Sequence, residues 1–162
     1  MPVPTGGILV RLRAPADDPA LARLFEDMQA HYRRSCPPAD KVLRDLAALP
    51  AGVEILVAET PQGVVGFAAF SAIYPGPGLA SGFFLKELYV DSAFRGRGVG
   101  SKLMRAVARL AQERGHGRID WTANRHDPRL RTYYENIGAL AQEDKIFFLL
   151  ADQALSALAK LE

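Results

Sequence analysis

Residues 95 to 102 read Arg95-Gly96-Arg97-Gly98-Val99-Gly100-Ser101-Lys102. Glycines at alternate positions let a backbone turn tightly and approach a ligand with no Cβ in the way. The apolar residues that follow, Leu103, Val107, Leu110 and Ala111, recur at helical spacing and predict a helix from Val99 to Arg114. The loop therefore ends on a helix N-terminus, where unpaired N–H groups and a partial positive charge attract an anion. Arg95, Arg97 and Lys102 add formal charge that a neutral ligand would not need. The chemistry implied is a cradle for a diphosphate. A nucleotide-triphosphate loop needs Lys before Ser/Thr after its last glycine, and here Ser101 precedes Lys102. The dinucleotide pattern also fails, because Gly96 and Gly98 are followed by Gly100 instead of a glycine one residue later. Asp120 does sit where a ribose-binding acid would be sought, ~20 residues on, but little chain remains to complete that fold.

The elements that must position this loop follow from periodicity. Ile8 to Arg13 alternates as a half-buried strand. Asp17, Asp18 and Pro19 open a helix carrying Leu21, Leu24, Phe25, Met28 and Tyr32 on one stripe. Asp40 is expected to cap a second helix with Val42, Leu43, Leu46 and Leu49 on one face. Glu54–Thr60 and Val64–Tyr74 read as a hairpin, and Phe83–Val90 as the strand that feeds the loop. Arg118–Ala123 is the next strand and Pro128–Ile137 a helix ended by Gly138. Lys145–Leu150 is a final strand, and a tail helix starts at Asp152. The order β-α-α-β-β-β-α-β-α-β predicts an α/β mixed twisted sheet with helices on both faces, in one domain over 1–162.

With the loop on that strand-to-helix junction, the chain resembles the GNAT superfamily of acyl-CoA-dependent N-acetyltransferases. The family's Gln/Arg-x-x-Gly-x-Gly/Ala motif is matched by Arg95, Gly98 and Gly100. Leu88-Tyr89-Val90 matches the strand that holds the pantetheine arm, and Tyr133-Tyr134-Glu135-Asn136-Ile137-Gly138-Ala139 is similar to a downstream segment. By eye the nearest subgroup is the diamine (spermidine/spermine) type, although the position of that subgroup's glutamate falls on Lys86, one residue before Glu87.

The resemblance implies acetyl-CoA as cosubstrate, held by Leu88, Tyr89, Val90, Arg95, Gly96, Arg97, Gly98, Val99, Gly100 and Ser101, with Asn124 and Asp127 as further contacts. It implies that Tyr134 gives a proton to the coenzyme A thiolate. Glu87, on the same strand as the reacting carbonyl, is the candidate to accept the ammonium proton, although alternation leaves open which face it takes. Glu26, Asp27 and Tyr32 fall where such folds bind the acceptor, and the acidic pair suits a cationic amine. Arg33 and Arg34 would instead suit an amine that also bears a carboxylate. The expected activity is acetylation of a small primary amine. A protein or peptide acceptor, and a non-catalytic acyl-CoA sensor, are the alternatives.

Composition narrows the rest. The 162 residues are 49% hydrophobic with a net charge of +2, enough for one core and too balanced for a dedicated nucleic-acid binder. The single Cys36 favours a reducing, cytoplasmic setting and cannot complete a zinc pattern, so no metal is expected. Met1 to Gly7 lacks a signal-peptide pattern, and no apolar run approaches the ~18 residues that span a bilayer. Leu155, Leu158 and Leu161 line one side of the tail helix, a stripe suited to a homodimer.

Overall fold

The computed structural model describes residues 7–161; the first six residues and Glu162 of the domain expected over 1–162 lie outside the described residues. The chain forms two compact units, one ending at Thr122 and one beginning at Ala123.

The first unit is built on a five-stranded sheet in the order β1 (Leu9–Leu12), β2 (Val53–Thr60), β3 (Gly63–Ile73), β4 (Gly82–Val90), β5 (Arg118–Asp120). The first four strands are antiparallel in sequence order, and β5 runs parallel to β4. The hairpin β2–β3 turns at Pro61 and Gln62, where Thr60 Oγ1 accepts from Gln62 N at 3.2 Å and Gly63 takes a φ of +109° that suits glycine.

Directly paired residues on neighbouring strands share a face, and this sorts the sheet into two cores. Ile55, Val57, Phe67 and Tyr89 pack with Leu21, Leu24 and Met28 of α1 (Asp18–His31) and with Val42 and Leu46 of α2 (Ala39–Ala47). On the opposite face lies α3 (Val99–Glu113). Gly66 sits so close to it that a Cβ there would stand 3.3 Å from Val99 and 3.4 Å from Leu103.

Paired carboxylates fasten α1 to β1. Arg11 grips Asp17 with two hydrogen bonds, 2.7 and 2.9 Å, while Arg13 grips Asp18 at 2.6 and 2.7 Å and also donates to Leu46 O at 2.8 Å. Both aspartates are buried. Asp17 is held below the usual carboxylate range, first by the Arg11 hydrogen bond and then, against the opposing effect of burial, by the Ala14 N–H. The sequence reading took these aspartates only as a helix start. Asp40, expected to cap α2, pairs instead with Arg44 at 2.6 Å, one turn on, and Pro38 stands at the N-cap.

The second unit holds α4 (Pro128–Asn136) and α5 (Asp152–Ala159), neither of which buries a residue. The strand expected over Lys145–Leu150 does not form, which corrects the predicted order at its end. Its composition is strand-like, but a strand needs a ladder, and among the described residues of this unit there is no other strand to pair with. Ile146, Phe147, Phe148 and Leu149 are 69% to 85% exposed. The strand expected over Arg118–Ala123 is also shorter, ending at Asp120.

Candidate functional site

The site is built along β4. The pairing of β4 with β5 covers only Gly82, Phe83 and Phe84, opposite Arg118, Ile119 and Asp120. Beyond Phe84 no strand pairs with that edge among the described residues, so β4 is closed on both sides at its start and open on one side at its end. On the closed side the Asp91 N–H donates to Val65 O of β3 at 2.8 Å. Backbone polar groups alternate in direction along a strand, which turns the N–H and C=O of Leu88 and Val90 toward the open edge. Arg95 Nε takes the Val90 carbonyl at 3.0 Å.

A bulge decides where Glu87 points. Leu85 pairs with Phe70 and Glu87 with Ala69, so Lys86 is an extra residue with no partner on β3. Leu85 therefore faces the α3 side while Glu87, only two residues on, faces the α1 side with Tyr89. Unbroken alternation would have put Leu85 and Glu87 on one face. The charged pair Lys86-Glu87 interrupting the apolar run Phe83–Val90 is the sequence signal for this break, and the strand reading did not use it.

Around Glu87 the α1 face supplies an aromatic cluster. Tyr32 stands at the C-cap of α1, and burial together with the charge of Glu87 pushes its phenol above its ordinary value. The His31 ring stands edge-on to Tyr32, with centroids 5.4 Å apart, and 6.4 Å from Tyr89. The Arg95 guanidinium lies over the Tyr89 ring at 5.3 Å. Lys86 Nζ approaches Glu87 at 3.6 Å from solvent, a loose exposed pair. Glu26 and Asp27 lie on the exposed side of α1.

At the end of β4 the chain turns through Asp91, whose carboxylate accepts from Ala93 N at 2.9 Å, into the glycine loop. Gly96 and Gly98 take positive φ angles, +72° and +80°. Gly98 is the N-cap of α3, and its carbonyl accepts the first helical bond, from Lys102 N at 3.0 Å. A Cβ added to Gly96 or Gly98 would meet no protein atom within 4 Å, so both border open space into which a Cβ would project. A Cβ on Gly100 would stand 3.6 Å from Leu88 and 3.9 Å from Val90, which seats the helix start against the end of β4. Positive-φ glycines beside open space and first-turn N–H groups on Val99 and Gly100 fit a diphosphate. Arg97 stacks over Phe94 at 5.2 Å beside this loop, and Ser101 lies in the same first turn.

The structure thus brings together, within one unit, Tyr32, Glu87, Leu88, Tyr89, Val90 and Arg95, with the loop that follows them. Asn124, Asp127 and Tyr134 belong to the second unit. There Asn124 Oδ1 accepts from His126 N at 2.9 Å, and Asp127 Oδ1 caps α4 by accepting from Leu130 N at 3.0 Å. Tyr134 lies on α4 with its ring 5.5 Å from that of Tyr133. His116 is half-buried, its Nδ1 2.8 Å from Ser81 Oγ and its ring 4.6 Å from Phe83. Among the described residues no cluster of His, Cys, Asp and Glu could hold a metal ion, and no helix is long and apolar enough to cross a membrane.

Comparison with known proteins sets this arrangement in context. The sequence model described as the acetyltransferase (GNAT) family matches residues 20–139. An L-ornithine N5-acetyltransferase of Arabidopsis thaliana is 31% identical over 98 residues, a stretch that spans 60% of this chain and 43% of that relative's length. Among solved structures, an integron cassette protein from the mobile metagenome of V. cholerae superposes with a TM-score of 0.85 at 26% identity, covering 95% of this chain and 98% of that one. An aminoglycoside acetyltransferase from an uncultured soil metagenomic sample shares the fold, with a TM-score of 0.73 at 19% identity over 90% of this chain and 97% of that one.

Proposed function

The chain belongs to the GNAT acetyltransferase family, and from that premise we propose that it moves the acetyl group of acetyl-CoA to a primary amine on a small molecule, by direct attack in a ternary complex. The observation that carries this reading is the open end of β4, with Glu87 turned by the Lys86 bulge onto the α1 face and the glycine cradle following on the same strand.

Acetyl-CoA, when bound, supplies the acetyl group as an activated thioester. The N–H groups of the first turn of α3, with Gly96, Gly98 and Gly100, hold its diphosphate, and Arg97 and Ser101 border that cradle. The open edge of Leu88, Tyr89 and Val90 holds its pantetheine arm, and a backbone N–H there stabilises the charge that develops on the carbonyl oxygen. Arg95 acts by bracing the Val90 carbonyl and covering Tyr89. Glu87 accepts the proton of the incoming ammonium, directly or through a water, so that a neutral amine attacks. By the family resemblance Tyr134 returns a proton to the departing thiolate, and Asn124 and Asp127 serve the coenzyme from their turn. The whole of 1–162 acts as one acetyltransferase domain.

A small cationic acceptor is supported by the exposed acidic pair Glu26 and Asp27 and by the ornithine-acetylating relative. A diamine and a basic amino acid both fit, the second using Arg33 or Arg34 for its carboxylate. The enzyme works in the cytoplasm as a homodimer, for which Leu155 and Leu158, 52% and 55% exposed on α5, supply a surface. A panel of putrescine, spermidine, L-ornithine, an aminoglycoside and peptides, assayed with acetyl-CoA by thiol release, tests the assignment. Turnover of at least one small amine is expected. Acetylation of peptides alone would overturn it, and acetyl-CoA binding with no turnover of any acceptor would mark a sensor.

A further inference from the structure

We infer that Lys145–Leu150 forms a strand on a second copy of this chain: it pairs with the free edge of β5 in that copy, each copy giving one strand and receiving one. This rests on the reading of the enzyme as a homodimer and assigns the surface that joins its two copies. Ile146, Phe147, Phe148, Leu149 and Leu150 follow one another without a polar residue, and they are 47% to 85% exposed. A strand with one face in water alternates apolar and polar residues, whereas a run apolar at every position fits a strand covered on both faces. The five-stranded sheet of the first unit offers such cover, with α1 and α2 on one face and α3 on the other. Among the described residues its last strand, β5, pairs with β4 alone, so the other edge of β5 carries no strand. β1 is the other terminal strand, but its Arg11 and Arg13, clasped by Asp17 and Asp18, give it the charged character of a guarded edge.

One chain therefore holds an edge with no strand on it and a strand-like run with no edge. β5 ends at Asp120 although Trp121 and Thr122 continue its β-type composition, and Lys145–Leu150 takes no ladder at all. A second copy satisfies both, because the two-fold axis that brings one run to one edge brings the other run to the other edge. Covering five large apolar side chains removes roughly 500 Å² from each copy, so with the surfaces that cover them the contact clears the ~1,000 Å² that a specific interface needs. The run also leaves from a fixed stem. Arg125 Nη1 donates to Glu143 Oε2 at 2.8 Å, and Arg131 of α4 donates to the other carboxylate oxygen, just before Lys145 in the chain. A strand held at its start loses less freedom on pairing than a loose tail would.

Sedimentation of the full chain over a range of concentrations, joined to backbone hydrogen exchange, is the test. The intact protein should sediment as a dimer in which amides within Ile146–Leu150 exchange slowly. Phe148→Asp places a charge in the covered run and should raise the dimer Kd ~100-fold or more. Phe148 is 85% exposed in the single chain, so the monomer left by this variant should keep its helix and strand content by circular dichroism. In that monomer the amides of the run should exchange freely. Leu155→Ser combined with Leu158→Ser, on α5, should change the Kd far less. A monomeric intact protein would overturn the homodimer reading and this inference together. A dimer that survives Phe148→Asp and is lost in the α5 variant would keep the homodimer and overturn the strand exchange. Protection of the run retained in the Phe148→Asp monomer would mean that it pairs within its own chain, which also overturns the exchange.

Discussion

The two ends of β4 are one strand under opposite constraints. At Gly82–Phe84 the backbone is paired on both sides, and Gly82 is so tightly enclosed that a Cβ would stand 2.5 Å from Arg118 Cγ and 2.7 Å from its carbonyl oxygen. At Glu87–Val90 one edge is open, a bulge has re-aimed the side chains, and the glycines that follow border empty space. Polar backbone left unpaired in a folded core is costly, and the open edge is where we propose that the ligand pairs. The closed end is the anchor from which the open end is held in position. Substitutions should therefore separate the two ends, the closed end through stability and the open end through binding and turnover.

The largest separation is expected at Gly98. An Asp there must adopt a φ near +80°, and it places a negative charge where the diphosphate would sit. Gly98→Asp should weaken acetyl-CoA binding by ~100-fold or more, about 3 kcal/mol by calorimetry, with a smaller cost in melting temperature. Normal binding would remove the cradle assignment. Next is Gly82→Val at the closed end, where crowding against the Arg118 backbone should cost about 2 kcal/mol in denaturant unfolding. Turnover per folded molecule should survive, and a selective loss of turnover would mean that the two ends are not separable. Tyr134→Phe lies outside both ends and sharpens the account of the proton path. It should lower turnover ~10-fold, about 1.4 kcal/mol, with acetyl-CoA affinity kept.

The smallest effect concerns the clasp that fastens α1 to β1. Asp17 has a folded-state pKa held below its unfolded value of ~3.9. Its contribution to stability is therefore complete above that value and is lost as the pH falls through the lower folded pKa. A series of melting temperatures from pH 6 downward should decline below about pH 4, and the decline should be shallower in Asp17→Asn.

Much of the first unit was legible in the sequence because its elements are amphipathic at clear periods. The first four strands, the helix from Val99 and the glycine loop all fall close to their expected bounds, while β5 stops at Asp120. What escaped was set by pairing. Period alone could not show that Lys86 is supernumerary, because that depends on where β3 supplies a partner. It could not show that the charge of Glu87 acts on Tyr32, 55 residues away in the chain by the difference of their numbers. The strand expected over Lys145–Leu150 failed for the same reason. Composition supplies a propensity for extension, but only a neighbouring edge makes a strand. The site was accordingly readable where its residues are consecutive, as in Arg95–Gly100, and hidden where distant elements converge.

Backbone hydrogen exchange along 82–90, followed with and without saturating acetyl-CoA, tests the central claim most directly. The account predicts that the amides of Leu88 and Val90, together with those of Val99 and Gly100, slow on binding while those of Phe83 and Phe84 do not change. Equal slowing at both ends of β4, or none at Leu88 and Val90 under saturation, would contradict it.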